Sequence, residues 1–229
     1  MGHGMGRIGW AVVGLVLGAA VTAGGFMLLG GDEQAAPQAV AADPVADMND
    51  RIAALWASLA ADPADPVIGN PNGDVTIVEF FDYTCTYCKA AEPRLVAAVN
   101  ADPNVRLVLK EYPILTPQSL VATRAALAAQ KQGKYQAFHQ TLMRFQGELT
   151  EQVIFDTAKA VGLDVARLKE DMQGPDIADR IIANFNLARA IRAFQTPTFV
   201  AGSQLVAHVL SSDSASIDFP REIAAAHGR

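Results

Sequence analysis

The pattern of hydrophobic and polar positions divides this chain into an uncharged start, a polar spacer and a long region of periodic segments. Residues 8–30 contain no charged side chain. About 20 apolar residues are enough to span a bilayer as a helix, so this stretch predicts a transmembrane anchor. Arg7 precedes it and acidic residues follow it, which places residues 1–7 in the cytoplasm and the rest of the chain outside.

Two other interpretations of residues 8–30 stay open. Val21-Thr22-Ala23 resembles the small-x-small site of a cleaved signal peptide, although apolar sequence continues to Leu29. A buried helix of a soluble core is disfavoured, because it would be apolar all round and weakened by glycines. The anchor and the signal peptide both export the remainder of the chain, and exported compartments are oxidising.

The segment after residue 30 changes from a spacer to a helix. Residues 31–46 are rich in alanine, proline, glutamine and acids without apolar periodicity, which predicts a tether. In 47–61, Ile52, Leu55 and Leu59 fall at helical spacing. We expect this helix to pack on its own domain; the alternative is a contact with a second protomer.

A strand, a helix and a second strand follow the loop at 62–74. Residues 75–81 are mostly apolar and predict a buried central strand. Residues 90–101 predict a helix with Pro93 as a possible kink, and 105–112 predict another strand. This order favours a right-handed crossover that makes the two strands parallel.

The second half of the chain is mostly helical by period. Glycines separate the predicted helices, and the pattern ends in a hairpin and a last helix. These helices cover 119–131, 134–146, 150–161, 164–172 and 175–194; the hairpin covers 198–201 and 204–207, and the last helix 217–226.

Composition and charge narrow the possible functions. The 229 residues carry a net charge of −6, whereas nucleic-acid binding needs clustered lysine and arginine to neutralise phosphates. We therefore expect no nucleic-acid partner. Cys85 and Cys88 are the only cysteines, too few for a disulfide scaffold or a cysteine-only zinc site.

The spacing of Cys85 and Cys88 after a predicted strand favours thiol chemistry. At a helix N-terminus, unpaired amide groups and the helix dipole stabilise an anion, so Cys85 should favour its reactive thiolate form. Cys88 lies about one turn later on the same side. It can attack a mixed disulfide formed at Cys85 and release the partner.

Two structural interpretations of this cysteine pair are weaker. A disulfide that closes so short a loop removes little entropy from the unfolded chain, on the order of 2 kcal/mol. A metal site would need two further ligands. No paired-histidine spacing exists to supply them, so we expect no metal; the histidines are His3, His139, His208 and His227.

The residues around the cysteines resemble a known family. The run from Val78 to Lys89, VEFFDYTCTYCK, is similar to the active-site segment of the DsbA-like thiol:disulfide oxidoreductases. Further similar segments follow in matching order, so that the resemblance covers about residues 48–210. They are Phe138-His139, Leu142-Met143, Val161-Gly162-Leu163-Asp164 and Thr196-Pro197-Thr198-Phe199-Val200.

The resemblance implies roles for five residues and no cofactor. Cys85 would be the exposed nucleophile and Cys88 the buried resolving thiol. Pro197 matches the family's cis-proline, whose loop faces the dithiol and holds an extended substrate, and Thr196 would tune redox poise and substrate release. Glu79 matches a buried acid proposed to relay a proton to the resolving thiol; the alternative is an acid at the strand's polar edge.

Several positions depart from the family's pattern. Thr86 stands where proline is frequent, and Tyr87 stands where strongly oxidising members have histidine. Gln195 replaces a frequent glycine, and Ala207-His208 replaces a common Gly-Ala pair. These departures affect the expected redox potential rather than the dithiol chemistry. We expect His139 and His208 to be structural.

The resemblance also implies the fold and a function. The fold is α/β, a thioredoxin-like domain with an inserted helical domain, here preceded by the transmembrane helix. The implied function is a dithiol oxidase for reduced exported proteins, reoxidised by a membrane quinone reductase of the DsbB type. It would sit in a bacterial inner membrane with its catalytic domain in the periplasm or outside. The expected parts are 1–7 cytoplasmic, 8–30 anchor or signal peptide, 31–46 tether, 47–116 first thioredoxin-like part, 117–190 helical insertion and 191–229 second thioredoxin-like part.

Two alternative functions remain. One is a disulfide isomerase or reductase, which generally needs a substrate cleft often made by dimerisation. The other is a non-catalytic, membrane-tethered binding module in which Cys85 and Cys88 form a structural bridge.

Overall fold

A computed structural model describes residues 43–208 and 216–227. The predicted anchor at 8–30 and nearly all of the tether lie outside these residues. No helix within the described ranges is long and apolar enough to cross a membrane. The prediction of a tether up to residue 46 is wrong at its end, because α1 already begins at Pro44. Asp43 caps this helix by accepting from the Val45 N–H, and a proline in the first turn is preset for helical geometry.

Five strands of the described part of the chain form one sheet in the order β1-β3-β2-β4-β5. β2 and β3 are parallel, which confirms the predicted crossover pair, and the other neighbours are antiparallel. The bounds are β1 Val67–Gly69, β2 Val75–Phe81, β3 Val105–Glu111, β4 Thr198–Ala201 and β5 Gln204–His208.

The sequence missed one strand, β1, which lies inside the predicted loop at 62–74. It has three residues and pairs with β3 at the edge of the sheet. So short a segment has no measurable period, and it is extended because β3 offers it hydrogen-bonding partners. The second predicted strand ends at Glu111 rather than at residue 112, and β5 extends one residue further than predicted, to His208.

Within the described ranges, eight helices surround the sheet, and all were predicted, with shifted ends. The largest shifts are at the start of α2, four residues earlier than predicted, and at the end of α7. There, Ile191 caps the helix and Arg192 has a φ of +59°, which stops it four residues early. The bounds are α1 Pro44–Ala60, α2 Thr86–Ala101, α3 Pro117–Gln130, α4 Tyr135–Arg144, α5 Glu151–Ala160, α6 Val165–Asp171, α7 Pro175–Ala190 and α8 Phe219–Ala226.

The two faces of β2 contribute to two separate hydrophobic cores. Ile77 and Phe81 face the core that contains Cys85 and Cys88, whereas Val78 and Phe80 face a second core. This alternation follows from the two-residue period of a strand. It also places Glu79, which lies between Ile77 and Phe81 in that period, on the face toward the cysteines.

The helix α1 packs on its own domain, as expected. Ile52 and Leu59 have no exposed surface and join Val78 and Phe80 in the second core. Burying each such side chain contributes on the order of 2 kcal/mol. These apolar residues of α1 are therefore used inside the domain rather than offered to a second protomer.

Candidate active site

Cys85 lies at the junction of β2 and α2, where it is the N-cap of the helix. The cap residue has extended backbone geometry, so its side chain can turn back over the first helical turn. The Cys88 N–H donates to Cys85 Sγ at 3.3 Å. The predicted helix start at residue 90 is therefore wrong, while the prediction that Cys85 sits at a helix N-terminus is confirmed. Both cysteines are free thiols here.

The pKa of the Cys85 thiol is lowered to about 6. The largest cause is a hydrogen bond from the Cys88 thiol, which stabilises the thiolate. Burial opposes this effect, because it raises the pKa. The pKa is lowered further by the Thr196 side chain and by the backbone N–H groups of Cys88 and Tyr87. The Thr196 hydroxyl has no hydrogen-bond partner in the described ranges, so it is available to the thiolate. At neutral pH Cys85 is then mostly ionised.

Cys85 is much less accessible than expected. Only 3% of the surface of Cys85 is exposed, so the expectation of an exposed Cys85 is wrong for this structure. Cys88 has no exposed surface, which confirms its expected burial. The cause is the loop before β4: as a thiol, Cys85 donates to the Thr196 carbonyl oxygen at 3.3 Å. That backbone lies directly against the sulfur.

The loop against Cys85 contains the predicted proline. The Thr196–Pro197 peptide bond is cis, as the resemblance implies. Thr196 is buried, and its carbonyl and hydroxyl both belong to the surroundings of Cys85. The tertiary structure thus joins residues that are more than 100 positions apart in sequence.

Glu79 is fully buried in the central strand β2. This overturns the alternative of an acid at the strand's polar edge. Neither of its carboxyl oxygens has a hydrogen-bond partner among the residues that the structure describes. Its pKa is raised well above the usual range by burial first, and then by the charges of Glu92 and Cys85. Burial also raises the pKa of Cys88, together with the hydrogen bond to Cys85, the Cys85 charge and Glu79. The protonated forms of Glu79 and Cys88 are therefore favoured.

A buried aspartate that the sequence analysis missed shapes the loop before Cys85. Asp82 Oδ1 accepts from the Thr84 N–H and from the Ser119 hydroxyl, both at 2.7 Å. Its Oδ2 accepts from the N–H groups of Ile114 and Leu115 at 2.9 and 3.0 Å. Aspartate is a turn signal because its side chain can accept from the backbone N–H two residues further on, and this signal could have indicated the bond from the Thr84 N–H.

A second unpredicted cluster lies behind the active-site loop. Glu111 Oε1 accepts from the Tyr83 and Tyr135 hydroxyls at 2.9 and 2.8 Å, and Oε2 accepts from Thr123 at 2.7 Å. Burial raises the pKa of Glu111 to about 7, against the lowering effects of His139 and these hydroxyls. His139 is fully buried and hydrogen-bonded, which agrees with a structural role. The side chain of His208 is not among those that the structure describes, so its structural role stays a prediction.

An open groove of about 500 Å³ adjoins the Cys85 loop on the side of the helical insertion. Thr84 and Thr86, the neighbours of Cys85 in sequence, lie along it. Lys89 lines the groove and donates to the carbonyls of Leu142 and Phe145 at 2.9 and 2.8 Å. These bonds fasten the end of α4 to the start of α2. Among residues 43–208 and 216–227, no group of three His, Cys, Asp or Glu side chains could hold a metal ion.

The fold and the dithiol define a thioredoxin-like α/β protein with a helical insertion between β3 and β4. A family model described as a DSBA-like thioredoxin domain matches residues 76–222, more than half of the chain. The protein therefore belongs to the DsbA-like thiol:disulfide oxidoreductases.

Solved structures of related proteins agree with this assignment. A thioredoxin-like oxidoreductase from Silicibacter pomeroyi has a TM-score of 0.68 and 43% identity, and the match covers 76% of this chain and 98% of that one. The thiol-disulfide exchange protein alpha-DsbA2 from Wolbachia pipientis has a TM-score of 0.65 and 27% identity, covering 69% and 86%.

A curated relative carries a similar segment within a longer protein. The Na(+)/H(+) antiporter NhaA 1 of Salinispora arenicola is 34% identical over 143 residues, which is 60% of this chain. The match spans only 22% of the antiporter's length, about a fifth. Its name therefore describes that protein as a whole.

Proposed function

We propose that this protein is an extracytoplasmic dithiol oxidase that introduces disulfides into exported proteins. The observation that carries the proposal is the N-cap position of Cys85, with a pKa of about 6. A stabilised thiolate favours the reduced form of the enzyme, so the oxidised form accepts electrons readily. The same thiolate is a good leaving group, which favours release of the oxidised product.

The reaction uses both sulfurs in turn. A substrate thiolate attacks Cys85 Sγ, the Cys85–Cys88 bond breaks, and the Cys88 sulfur leaves with the electron pair. Glu79 supplies the proton that this buried sulfur needs. A second substrate thiolate then attacks the substrate sulfur of the mixed disulfide, and Cys85 leaves as a thiolate. The substrate loses two electrons and two protons, and the enzyme dithiol gains the two electrons.

The surroundings of Cys85 suit an extended polypeptide. Thr196 and Pro197 would align the substrate backbone, because this loop lies against the sulfur. Two large apolar side chains near these residues in the sequence are exposed. Tyr87, two residues after Cys85, is 41% exposed, and Phe194, two residues before Thr196, is 66% exposed. In this proposal, these exposed side chains bind apolar segments of the substrate. Such segments are accessible in an unfolded substrate and buried in a folded one.

The proposed location and redox partner rest on the sequence and on the family resemblance. We propose that residues 8–30 anchor the chain, or direct its export before cleavage, and that the residues between 30 and the start of α1 link them to the catalytic domain. The thioredoxin-like domain would then run from Pro44 to residue 116 and from 191 to 229, with the helical insertion at 117–190 between these parts. A membrane quinone reductase of the DsbB type would reoxidise the dithiol, and the proposed exchange requires no cofactor.

The departure at Tyr87 supports a second candidate, a reductase or isomerase. Tyrosine cannot supply a positive charge beside the Cys85 thiolate as histidine can, so it would stabilise the reduced form less. A reductase would have a reduction potential near the value of about −270 mV found for thioredoxin, whereas an oxidase requires a much less negative one.

The deciding experiment equilibrates the full chain with glutathione redox buffers and measures the fraction of Cys85–Cys88 disulfide. A potential well above that of thioredoxin, with stoichiometric oxidation of a reduced peptide, would support the oxidase. A potential near that of thioredoxin would reject it in favour of the reductase. The variant Cys85→Ser serves as the control. If it still oxidises the peptide, Cys85 is not the nucleophile, and this result would favour the interpretation as a non-catalytic binding module.

A further inference from the structure

The turn before Cys85 is built around the buried residue Asp82. The Thr84 N–H donates to Asp82 Oδ1 at 2.7 Å, and the Cys85 N–H donates to the Asp82 carbonyl oxygen at 3.1 Å. The first bond closes a turn between side chain and backbone, and the second closes a backbone turn over the same residues. Since Cys85 is also the N-cap of α2, this double turn fixes where that helix begins.

The same side chain reaches the start of the helical insertion. Asp82 Oδ1 also accepts from the Ser119 hydroxyl at 2.7 Å, and Oδ2 accepts from the N–H groups of Ile114 and Leu115 at 2.9 and 3.0 Å. Ser119 lies in the first turn of α3, where it completes a capping box with Thr116. The two amides belong to the segment that leads into this helix. Asp82 therefore joins the starts of two helices, α2 and α3.

The hydrogen-bonding capacity of the Asp82 carboxyl group is filled. The Thr84 hydroxyl donates to Oδ1 at 2.9 Å, so that three donors meet Oδ1 and two meet Oδ2. A carboxylate only accepts, and it offers about four lone-pair sites. Because Asp82 has no exposed surface, a displaced donor would find no water to replace its bond. The turn before Cys85 is thus held firmly against the insertion.

The position of this turn affects the two redox forms differently. In the reduced form, the Cys88 N–H donates to Cys85 Sγ at 3.3 Å, and such a bond is stronger when the sulfur carries a negative charge. This bond requires the cap geometry of Cys85. In the oxidised form the sulfur is neutral, and its covalent bond to Cys88 would hold the loop by itself. A firmly held turn therefore stabilises the reduced form more than the oxidised form.

We propose that Asp82 is a positioning residue for Cys85: it ties the N-cap of α2 to the first turn of the helical insertion and thereby favours the dithiol over the disulfide. This inference rests on the proposed dithiol chemistry. The insertion then influences the redox equilibrium without touching the substrate, because its Ser119 hydroxyl and the amides before α3 hold the turn that precedes Cys85. Loosening this turn makes the protein a weaker oxidant.

The test measures the equilibrium constant for disulfide formation when the full chain reacts with oxidised glutathione. The dithiol loses two electrons and two protons, and one oxidised glutathione becomes two reduced molecules. Asp82→Asn replaces an acceptor oxygen by an NH2 group that must face donors. We expect the constant to rise by about fivefold, the effect of one lost helix cap. Loss of a negative charge alone would favour the Cys85 thiolate and lower the constant, so the direction separates positioning from a charge effect.

Denaturant unfolding of the two redox forms gives a second readout. Asp82→Asn should destabilise the reduced form more than the oxidised form, whereas a merely structural role would destabilise both equally. The matched control is Asp102→Asn at the other end of α2. Asp102 makes the same two turn bonds, from the Asn104 N–H to Oδ1 at 2.9 Å and from the Val105 N–H to its carbonyl oxygen at 3.2 Å. It also contacts His227 at 2.8 Å. The control should leave the glutathione constant unchanged.

Several results would overturn the positioning role of Asp82. They are an unchanged or lower constant in Asp82→Asn, an equal rise in Asp102→Asn, and equal destabilisation of the two redox forms. If Asp82→Asn does not fold, Ser119→Ala decides, because it removes only one donor of the insertion; its constant should rise by at least about twofold, and an unchanged value would also overturn the role. The proposed function is judged separately. A potential of the unmodified protein near that of thioredoxin would reject the oxidase, yet the shift in Asp82→Asn would still be measurable.

Discussion

Removing the Cys88 thiol tests the physical origin of the low Cys85 pKa. The hydrogen bond from Cys88 is its largest cause, and the variant Cys88→Ala deletes it while keeping the backbone N–H at 3.3 Å. A hydrogen bond to a charged group is worth about 1.5–3 kcal/mol, and one pKa unit corresponds to about 1.4 kcal/mol. We therefore expect the Cys85 pKa to rise by about one to two units in this variant.

The assay follows thiolate absorbance in the ultraviolet against pH, with alkylation rates as an independent measure. In the unmodified reduced protein, the low-pH transition belongs to Cys85, because the pKa of Cys88 is raised. The matched variant Cys88→Ser keeps a hydroxyl donor at the same place. Its Cys85 pKa should therefore stay closer to the original value of about 6.

Two results would refute this reasoning. One is a Cys85 pKa that stays near its original value in Cys88→Ala, which would assign the whole effect to the helix N-terminus and Thr196. The other is an equal rise in the serine and alanine variants, which would mean that the donor does not matter. Either result would leave the proposed function intact but change its electrostatic basis.

Three more predictions concern stability. Because the Cys85 pKa is lowered in the folded state, from a reference of 9.0 to about 6, its contribution is complete above about pH 9 and is lost as pH falls through 6. In denaturant titrations, the difference in unfolding free energy between the reduced protein and Cys85→Ala should therefore grow by about 1 kcal/mol from pH 6 to 7, and a difference that does not change with pH would contradict the lowered pKa. Glu79→Gln removes a buried acid whose pKa is raised, so its melting temperature should exceed that of the unmodified protein at neutral pH; an unchanged value would mean that Glu79 ionises freely. Asp65→Asn leaves Lys110 buried without its ion-pair partner, and the free energy of unfolding should fall by about 3–5 kcal/mol; a loss under about 1 kcal/mol would show that Asp62, the other carboxylate that acts on Lys110, or solvent compensates.

Some parts of the fold could be predicted because local sequence specifies them. The strand at 75–81 was predicted with correct ends, since its apolar run is bounded by Asp74 and Asp82. The start of α2 and the end of α7 were not predicted. Cys85 caps α2 through its sulfur, and α7 stops where Arg192 takes a left-handed conformation. Neither feature has a strong residue signal.

The candidate site was predicted in its chemistry but not in its surroundings. Cys85, Cys88 and Pro197 carry recognisable local patterns. The burial of Cys85 depends on the Thr196 carbonyl, which lies against it from a distant loop. The contacts of His139 with Glu92 and Tyr83 join three separate segments, so no spacing in the sequence could indicate them.

The sequence by itself determined the dithiol, its place between a strand and a helix, and the order of the helices and strands, because hydrophobic period and local capping act over only a few residues. The tertiary structure alone decided which groups share the low-dielectric space behind Cys88. Packing buried Glu79 in the central strand and set Glu92 against His139, with almost none of the three side chains left exposed to water. Charges interact strongly only where water is absent, and that absence arises only when distant segments pack against one another.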